Sequence, residues 1–289
     1  MKKVLITGQN SYIGNSLKYW LMREPEMYQV DTIDMKNDLW KAKDFSQYDV
    51  VFHVAGIAHV STDPKMEDLY YKVNRDLTIE TAKKAKSEGV KQFIFMSSII
   101  VYGDSRSSSK KIIDKNTIPI PTNFYGNSKL QAEEKIKLLE SKDFSIVILR
   151  PPMIYGKGSK GNYQRLARIA KKIPIFPEIN NERSMLHIDN LCEFLKIIID
   201  KKVAGLFFPQ NKEYVRTSEL VESIAKFHGK KVRMVKMFNP LIKAMFKNNT
   251  INKVFGNLTY TKSMSVYGDE MVYQIRSFEE SIEFTEREG

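Results

Sequence analysis

From its first residues the chain alternates short apolar runs with longer segments of helical period. Val4, Leu5 and Ile6 form an apolar run closed by Thr7-Gly8, and Tyr12, Ile13 and Leu17 then recur at helical spacing. The opening therefore reads as strand, tight turn and helix. Further strands are expected over 28–35, over 48–58, running into Ala55 and Gly56, and over 90–96, with a long helical pattern over 66–87 before the last. Residues 104–121, rich in Ser, Lys and Pro and without period, are expected to form a surface loop. A helix starting at Pro121-Thr122 follows, with Ala132, Ile136 and Leu139 at helical spacing. Helices are also expected over 189–200 and 217–227, with a short strand over 206–209. Strands alternating with helices in this way imply right-handed crossovers and an α/β fold built on a doubly wound parallel sheet. The expected division is a nucleotide domain over 1–160, with strand and helix returns from 187–210, and a mainly substrate-binding lobe over 161–289.

Composition narrows the class. A length of 289 residues suffices for a sizeable core. Cys192 is the only cysteine and has no metal-ligand neighbours at a zinc-like spacing, so no metal is expected and a reducing compartment is. A strand beginning near residue 3 leaves no room for a signal peptide, and no apolar run reaches membrane-span length, so the expected location is cytoplasmic. The net charge of +12 suits nucleic acid, an anionic membrane surface or a phosphorylated small molecule. The lysines are scattered, however, and no nucleic-acid motif is present, so nucleic acid is not expected as a partner. The denser stretch is 230–262. Within it, 238–258 is basic and amphipathic, and reads as a core face or dimer contact, with peripheral contact to an anionic membrane as the other reading.

Candidate chemistry lies at the ends of the strands. Gly8, Ser11 and Gly14 occupy the three positions of a G-x-x-G-x-x-G turn, with serine in the middle place. Such a turn brings backbone and a helix N-terminus close to a pyrophosphate, although a βα turn also needs glycine for its own geometry. Asp34, about twenty residues on, can accept from the adenosine ribose hydroxyls and repel a 2′-phosphate, which favours NAD over NADP; Lys36 nearby softens that preference. The small Ala55 and Gly56 let a flat cofactor lie over the sheet edge. His53 reads as a packed core histidine. Ser97 and Ser98 close the fourth strand, where ligands bind in open α/β sheets. Tyr125 and Lys129 stand four apart on one helix face, and this is the single Tyr-x-x-x-Lys among fourteen tyrosines. An ammonium near a phenol lowers its pKa from about 10 toward the range useful for proton transfer.

Together these segments resemble the extended short-chain dehydrogenase/reductase family, in the branch of nucleotide-sugar epimerases, 4,6-dehydratases and ketoreductases. The matching segments are T-G-Q-N-S-Y-I-G from Thr7, F-H-V-A-G from Phe52, Y-K-V-N from Tyr71, M-S-S-I-I-V-Y-G from Met96 and Y-G-N-S-K from Tyr125. L-R-P-P-M-I-Y-G from Leu149 and R-S-M-L-H-I-D-N-L from Arg183 complete them. The resemblance implies a Rossmann-type domain with a small C-terminal lobe. It implies Tyr125 as acid-base, Lys129 on the nicotinamide ribose and Ser98 on the reacting oxygen. Gly8, Ser11, Tyr12, Ile13 and Gly14 would line the pyrophosphate and Asp34 the ribose. Asp38 would reach the adenine, and Ala55, Gly56, Asn74 and Pro152 would sit near the cofactor. Arg183 is implied on the substrate diphosphate, with Met153, Lys160 and Asn162 in the substrate site.

Departures shape the expected reaction. Met153 stands where the 4-epimerases of this branch carry a substrate-contacting asparagine, and the Arg150-Pro151-Pro152 pattern looks closer to 4-ketoreductases. Ile99, Ile100 and Val101 offer none of the carboxylates of the dehydratases. The resemblance therefore implies an NAD(P)-dependent enzyme acting at C4 of a UDP-sugar. The first reading is a 4-ketoreductase of a UDP-4-keto-6-deoxy-hexosamine in surface polysaccharide synthesis. The alternative is a UDP-hexose or UDP-N-acetylhexosamine 4-epimerase with tightly held NAD, and a non-catalytic cofactor-sensing protein is more remote. A homodimer is the expected assembly.

Overall fold

The computed structural model describes residues 1–58, 63–103, 111–246, 248–269 and 271–287. Along the chain the elements are β1 (Lys2–Thr7), α1 (Tyr12–Leu21), β2 (Tyr28–Ile33), β3 (Val50–His53), α2 (Glu67–Tyr70), α3 (Leu77–Ser87), β4 (Gln92–Met96), β5 (Ile112–Ile113), α4 (Phe124–Lys137) and β6 (Ser145–Leu149). They continue as β7 (Met153–Tyr155), α5 (Asn162–Ala170), β8 (Ile175–Pro177), β9 (Met185–His187), α6 (Ile188–Lys201), β10 (Gly205–Phe207), α7 (Thr217–Phe227), β11 (Arg233–Val235), α8 (Asn239–Ala244), α9 (Asn249–Phe255), β12 (Thr259–Tyr260) and α10 (Phe278–Glu286). Six strands form one parallel sheet in the order β10-β6-β4-β3-β1-β2. The strand order reverses at β1, so its carboxyl end and that of β3 flank the crevice where open α/β sheets hold ligands.

The sheet strands read as unbroken apolar runs because both faces are covered. Val4, Ile6, Ile94, Met96, Val147 and Leu149 face Leu17, Leu21, Leu191, Phe194 and Ile198 of α1 and α6. Leu5, Val51, Phe93, Phe95, Ile146 and Ile148 face Ala82, Ala85, Ala132 and Ile136 of α3 and α4. A third cluster lies off the sheet and joins Tyr163, Leu166, Val221, Ile224, Ile242, Phe246 and Phe255 with Ile282.

Register aligns the strand ends. Thr7 lies opposite Ile33 on one side and His53 on the other, His53 lies opposite Phe95, and Met96 lies opposite Leu149. Gly8, Asp34, Ala55, Ser97 and Arg150, each one or two residues beyond a strand, therefore emerge along a single edge.

Three local differences from expectation have physical causes. The single helix expected over 66–87 is broken into a 3₁₀ turn over Pro64–Met66, α2, a π-helical turn over Tyr71–Asp76, and α3. The wider π turn carries Asn74 inward to full burial, which a 3.6-residue period does not anticipate. The helix expected from Pro121-Thr122 begins two residues later, where the Asn123 side chain accepts from Gly126 N at 2.9 Å and caps it. Of the surface loop expected over 104–121, residues 104–110 lie outside the described residues.

His53 is a core residue, as its sequence context indicates. Its Nδ1 lies 2.9 Å from Thr7 Oγ1 and its Nε2 3.1 Å from Thr78 Oγ1. The Thr78 hydroxyl already donates to the Asn74 carbonyl, so Nε2 carries the proton and Thr7 donates to Nδ1. Burial, and then the Lys129 charge, push the imidazole pKa down to about 3. Above the unfolded value of about 6.5 neither state binds a proton here; below it the unfolded chain does and the folded one does not. His53 is therefore expected to remove about 1.4 kcal/mol of stability per pH unit as pH falls from about 6.5 toward 3. Urea unfolding at pH 7.5, 6 and 5 (roughly the upper part of that window) checks this, and His53→Gln should flatten the slope whatever its own cost.

Candidate active site

The turn after β1 is built by three different devices. Gly8 adopts φ +87°, and a Cβ there would stand 3.0 Å from both the N and Cα of Ala55, so only glycine fits against the β3 extension. Gly8 N and Gln9 N donate to the Ile33 carbonyl at 3.0 Å, which ties the turn to the end of β2. Ser11 has an ordinary φ of −71°, and its Oγ accepts from Gly14 N at 3.1 Å. The middle position thus needs no glycine and gains a helix N-cap. Gly14 is buried, and a Cβ there would meet Ile6 at 3.1 Å and Val54 at 3.2 Å. Tyr12 brings its hydroxyl to Gly156, where it is buried with no hydrogen-bond partner among the described residues, and burial pushes its pKa up. Ile13 packs partly buried against the first core cluster.

Beside this turn, Ile33, Asp34, Asn37, Leu39, Trp40, Ala42 and Lys43 line an open pocket of about 440 Å³. Asp34 Oδ1 accepts from Lys36 N at 3.0 Å. Asp38 does not line the pocket; it is exposed on the 3₁₀ turn and pairs with Lys41 at 3.0 Å. Asn37 and Leu39 border the pocket instead, and sequence reasoning passed over both. A glycine cradle closed to any Cβ, an orphaned hydroxyl and a carboxylate-edged pocket together fit a dinucleotide.

The second cluster lies where β4 and α4 meet. Ser98 begins a 3₁₀ turn over Ile99–Tyr102, its Oγ accepting from Ile100 N at 3.3 Å, and its hydroxyl is close enough to Tyr125 to oppose the rise of the phenol's pKa. Lys129 is buried one turn further along α4, donates to the Met96 carbonyl at 2.9 Å and sits 4.6 Å from the Phe95 ring centroid. Asn74 Oδ1 accepts from Ile57 N at 2.9 Å, and its Nδ2 donates to Ile57 O at 3.0 Å, holding the loop beyond Ala55 and Gly56. A Cβ on Gly56 would come within 2.9 Å of Asn74 Oδ1 and 3.2 Å of Lys129 Nζ. Ser98, Tyr125, Lys129, Asn74 and Gly56 are thus brought together.

Burial outweighs the lowering that the lysine was expected to exert on the tyrosine. Burial raises the Tyr125 phenol to about 12, and the opposing pull comes from the Ser98 hydroxyl. Lys129 turns its ammonium to a carbonyl, and burial lowers its own pKa to about 7, with Glu133 holding it from falling further. Desolvation of both groups outweighs their mutual influence.

Below them lies a network that sequence reasoning missed. Glu133, four residues after Lys129 on α4, is buried, accepts from the Ser97 hydroxyl and pairs with Arg150, whose Nε reaches both carboxylate oxygens at 3.1 Å. Arg150 Nη1 donates to Tyr102 Oη at 2.7 Å. The i, i+4 spacing of Lys129 and Glu133 was the available signal.

The substrate-side candidates divide. Met153, Asn162 and Arg183 line one hollow together with Met185, Thr217 and Lys253, the last not foreseen. Arg183 donates to the Gly256 carbonyl at 2.8 Å. The hollow measures about 10 Å³, room for about one water. Lys160 is exposed and outside it, while Pro152 is buried just beyond β6.

Residues 4–208 match the NAD dependent epimerase/dehydratase family. A UDP-glucose 4-epimerase of Vibrio cholerae is 31% identical over 249 residues, covering 78% of this chain and 75% of that protein. A UDP-2-acetamido-2,6-beta-L-arabino-hexul-4-ose reductase of Pseudomonas aeruginosa is 26% identical over 244 residues, 78% of this chain and 58% of that one. The UDP-glucuronic acid 4-epimerase of Bacillus cereus, solved in complex with NAD, superposes with a TM-score of 0.76 at 20% identity over 98% of this chain and 95% of that chain. Family match, sheet order and glycine turn agree, and the protein belongs to the NAD dependent epimerase/dehydratase family, in its nucleotide-sugar 4-epimerase and reductase branch.

Proposed function

We propose that the protein is a 4-ketoreductase of a UDP-4-keto-6-deoxy-hexosamine. The observation that carries this reading is the convergence of Ser98, at the turn after β4, with Tyr125 and Lys129, one turn apart on α4 and fastened to the same strand end through the Met96 carbonyl, at the carboxyl edge of the sheet. Gly8, Ser11, Tyr12, Ile13 and Gly14 would hold the pyrophosphate, Asp34 the adenosine ribose, and Ala55, Gly56, Asn74 and Pro152 the surroundings of the nicotinamide. Held there, NADH or NADPH would supply the hydride that C4 receives. Ser98 donates to the ketone oxygen, and Tyr125 passes its proton there as negative charge develops, so both interactions strengthen toward the transition state. Lys129 supplies positive potential beside the phenol. Residues 161–289 would carry the sugar nucleotide, with Arg183 and Lys253 on the diphosphate. Met153 and the Arg150-Pro151-Pro152 segment support the reductase over the epimerase. The 4-epimerase reading is supported by the identity to the Vibrio protein.

Incubation with a UDP-4-keto-6-deoxy-hexosamine and NADH or NADPH should consume the reduced cofactor stoichiometrically. Interconversion of C4 epimers without net cofactor change, in UDP-GlcNAc or UDP-galactose, would instead establish the epimerase. Tyr125→Phe should abolish turnover and keep cofactor binding; an active variant sinks the proposed acid. The pH profile has a definite sign. With the phenol protonated up to about 12 and the ammonium lost above about 7, kcat/KM for reduction should decline above about pH 7, and Lys129→Met should remove that limb while lowering the rate. Gly8→Ala forces a Cβ into left-handed backbone, costing about 1–2 kcal/mol, and against Ala55. Calorimetric titration should show NAD affinity reduced at least about tenfold.

A further inference from the structure

Net positive charge is concentrated in one stretch of the chain, because carboxylates are missing from it. Between Ser223 and Gly268 there are nine lysines and arginines and not one aspartate or glutamate, in a protein whose whole net charge is +12. The middle of this stretch is amphipathic in two directions. Backbone hydrogen bonds from Ile242 N to Phe238 O and from Met245 N to Leu241 O make 238–245 helical. Ile242 and Phe246 are buried in the third core cluster, so the core-face expectation holds for one side. The stripe at a spacing of four, Met237, Leu241 and Met245, faces outward, exposed by 76%, 61% and 42%, with Phe238 beside it at 39%. Ile175, on the strand paired with β11, is also exposed.

We propose that this surface is a docking face for an anionic lipid bilayer. Long apolar side chains at successive turns, within a segment rich in cations and free of carboxylates, match what a bilayer interface offers: acyl depth under a negative headgroup layer. Glu178, on the neighbouring loop, has its carboxylate engaged by Lys236 at 3.7 Å. A nucleic acid would reward the charge but not three exposed aliphatic side chains in a row. A second copy of this chain would place like charges face to face. The same segment continues into α9, whose Lys253 and Val254 line the hollow shared with Arg183. Docking therefore sets that hollow close to the membrane surface. The proposal stands whether the enzyme is a reductase or an epimerase.

The test is co-sedimentation of the whole protein with vesicles of phosphatidylcholine alone, or with about one third phosphatidylglycerol, at low salt and at roughly 0.5 M salt. Met237→Ser/Leu241→Ser leaves the charge unchanged and touches only exposed side chains, and Lys231→Glu/Arg233→Glu reverses local charge at two exposed residues, Arg233 lying opposite Ile175. The proposal expects binding to the anionic vesicles only, weakened by salt and by at least about tenfold in each variant, with melting temperature and cofactor binding as in the parent. No binding to anionic vesicles at low salt overturns it. So does binding that the apolar variant leaves unchanged, which is a charge effect alone, or tighter binding to single-stranded RNA than to vesicles. A change in oligomeric state in the apolar variant, without vesicle binding by the parent, assigns the stripe to a second copy and likewise overturns the proposal.

Discussion

The site depends on how α4 is fastened to the end of β4. Consecutive residues of that strand end hold two turns of the helix: the Met96 carbonyl takes the Lys129 ammonium, and the Ser97 hydroxyl donates to Glu133. Arg150, at the end of the adjacent strand, clamps the same carboxylate, and Tyr260 Oη in turn donates to the Arg150 carbonyl at 2.9 Å. Three strand ends and one helix are thereby joined through a buried ion pair. Such a pair gives little net stability compared with an apolar filling of equal volume, yet losing one partner costs about 3–5 kcal/mol because the other is left charged and dry. Its value here is positional. Tyr125 lies two turns before Glu133, and any rotation of α4 that moved the phenol from Ser98 would have to break the clamp.

The same burial sets the charge states. A dry phenol resists ionisation and a dry ammonium resists protonation, so Tyr125 rises while Lys129 falls. The lysine remains near neutrality rather than far below it because Glu133 is four residues away on the same helix. The carboxylate that locks the helix thus also preserves some of the positive charge beside the phenol.

The large-scale fold was legible because its signals are local: apolar runs of strand length, glycine at the turn, and helical period between. The Ser98, Tyr125 and Lys129 cluster was legible because register places strand ends on one edge, so chain order translates into proximity. What escaped was non-local or irregular. Glu133 finds Arg150 only through the packing of β6 against β4, and no spacing announces that pair. Asn74 was implied by the resemblance, but the π turn that delivers it inward breaks the period used to read its helix and was not foreseen. Asp38 was implied at the adenine by the resemblance alone, yet the 3₁₀ turn over Asp38–Ala42 turns it to Lys41 and leaves Asn37 and Leu39 at the pocket. The segment 238–258 divided, one stripe entering the core and its neighbour remaining outside, because a short helix on a curved surface can bury only part of its circumference.

Gly56 shows how these parts constrain one another. From sequence its smallness reads as room for a flat ring. In the structure the space where a side chain would stand is already bounded by Asn74 Oδ1 and Lys129 Nζ, which approach from two different helical segments. Asn74 cannot withdraw without releasing both hydrogen bonds to Ile57, and Lys129 cannot withdraw without leaving the Met96 carbonyl. The glycine is therefore the point at which the π turn, the β3 extension and α4 meet. The absence of a side chain there lets the lysine ammonium and the asparagine amide approach the same point of backbone, so the residue matters to how α4 and the π turn pack against the β3 extension.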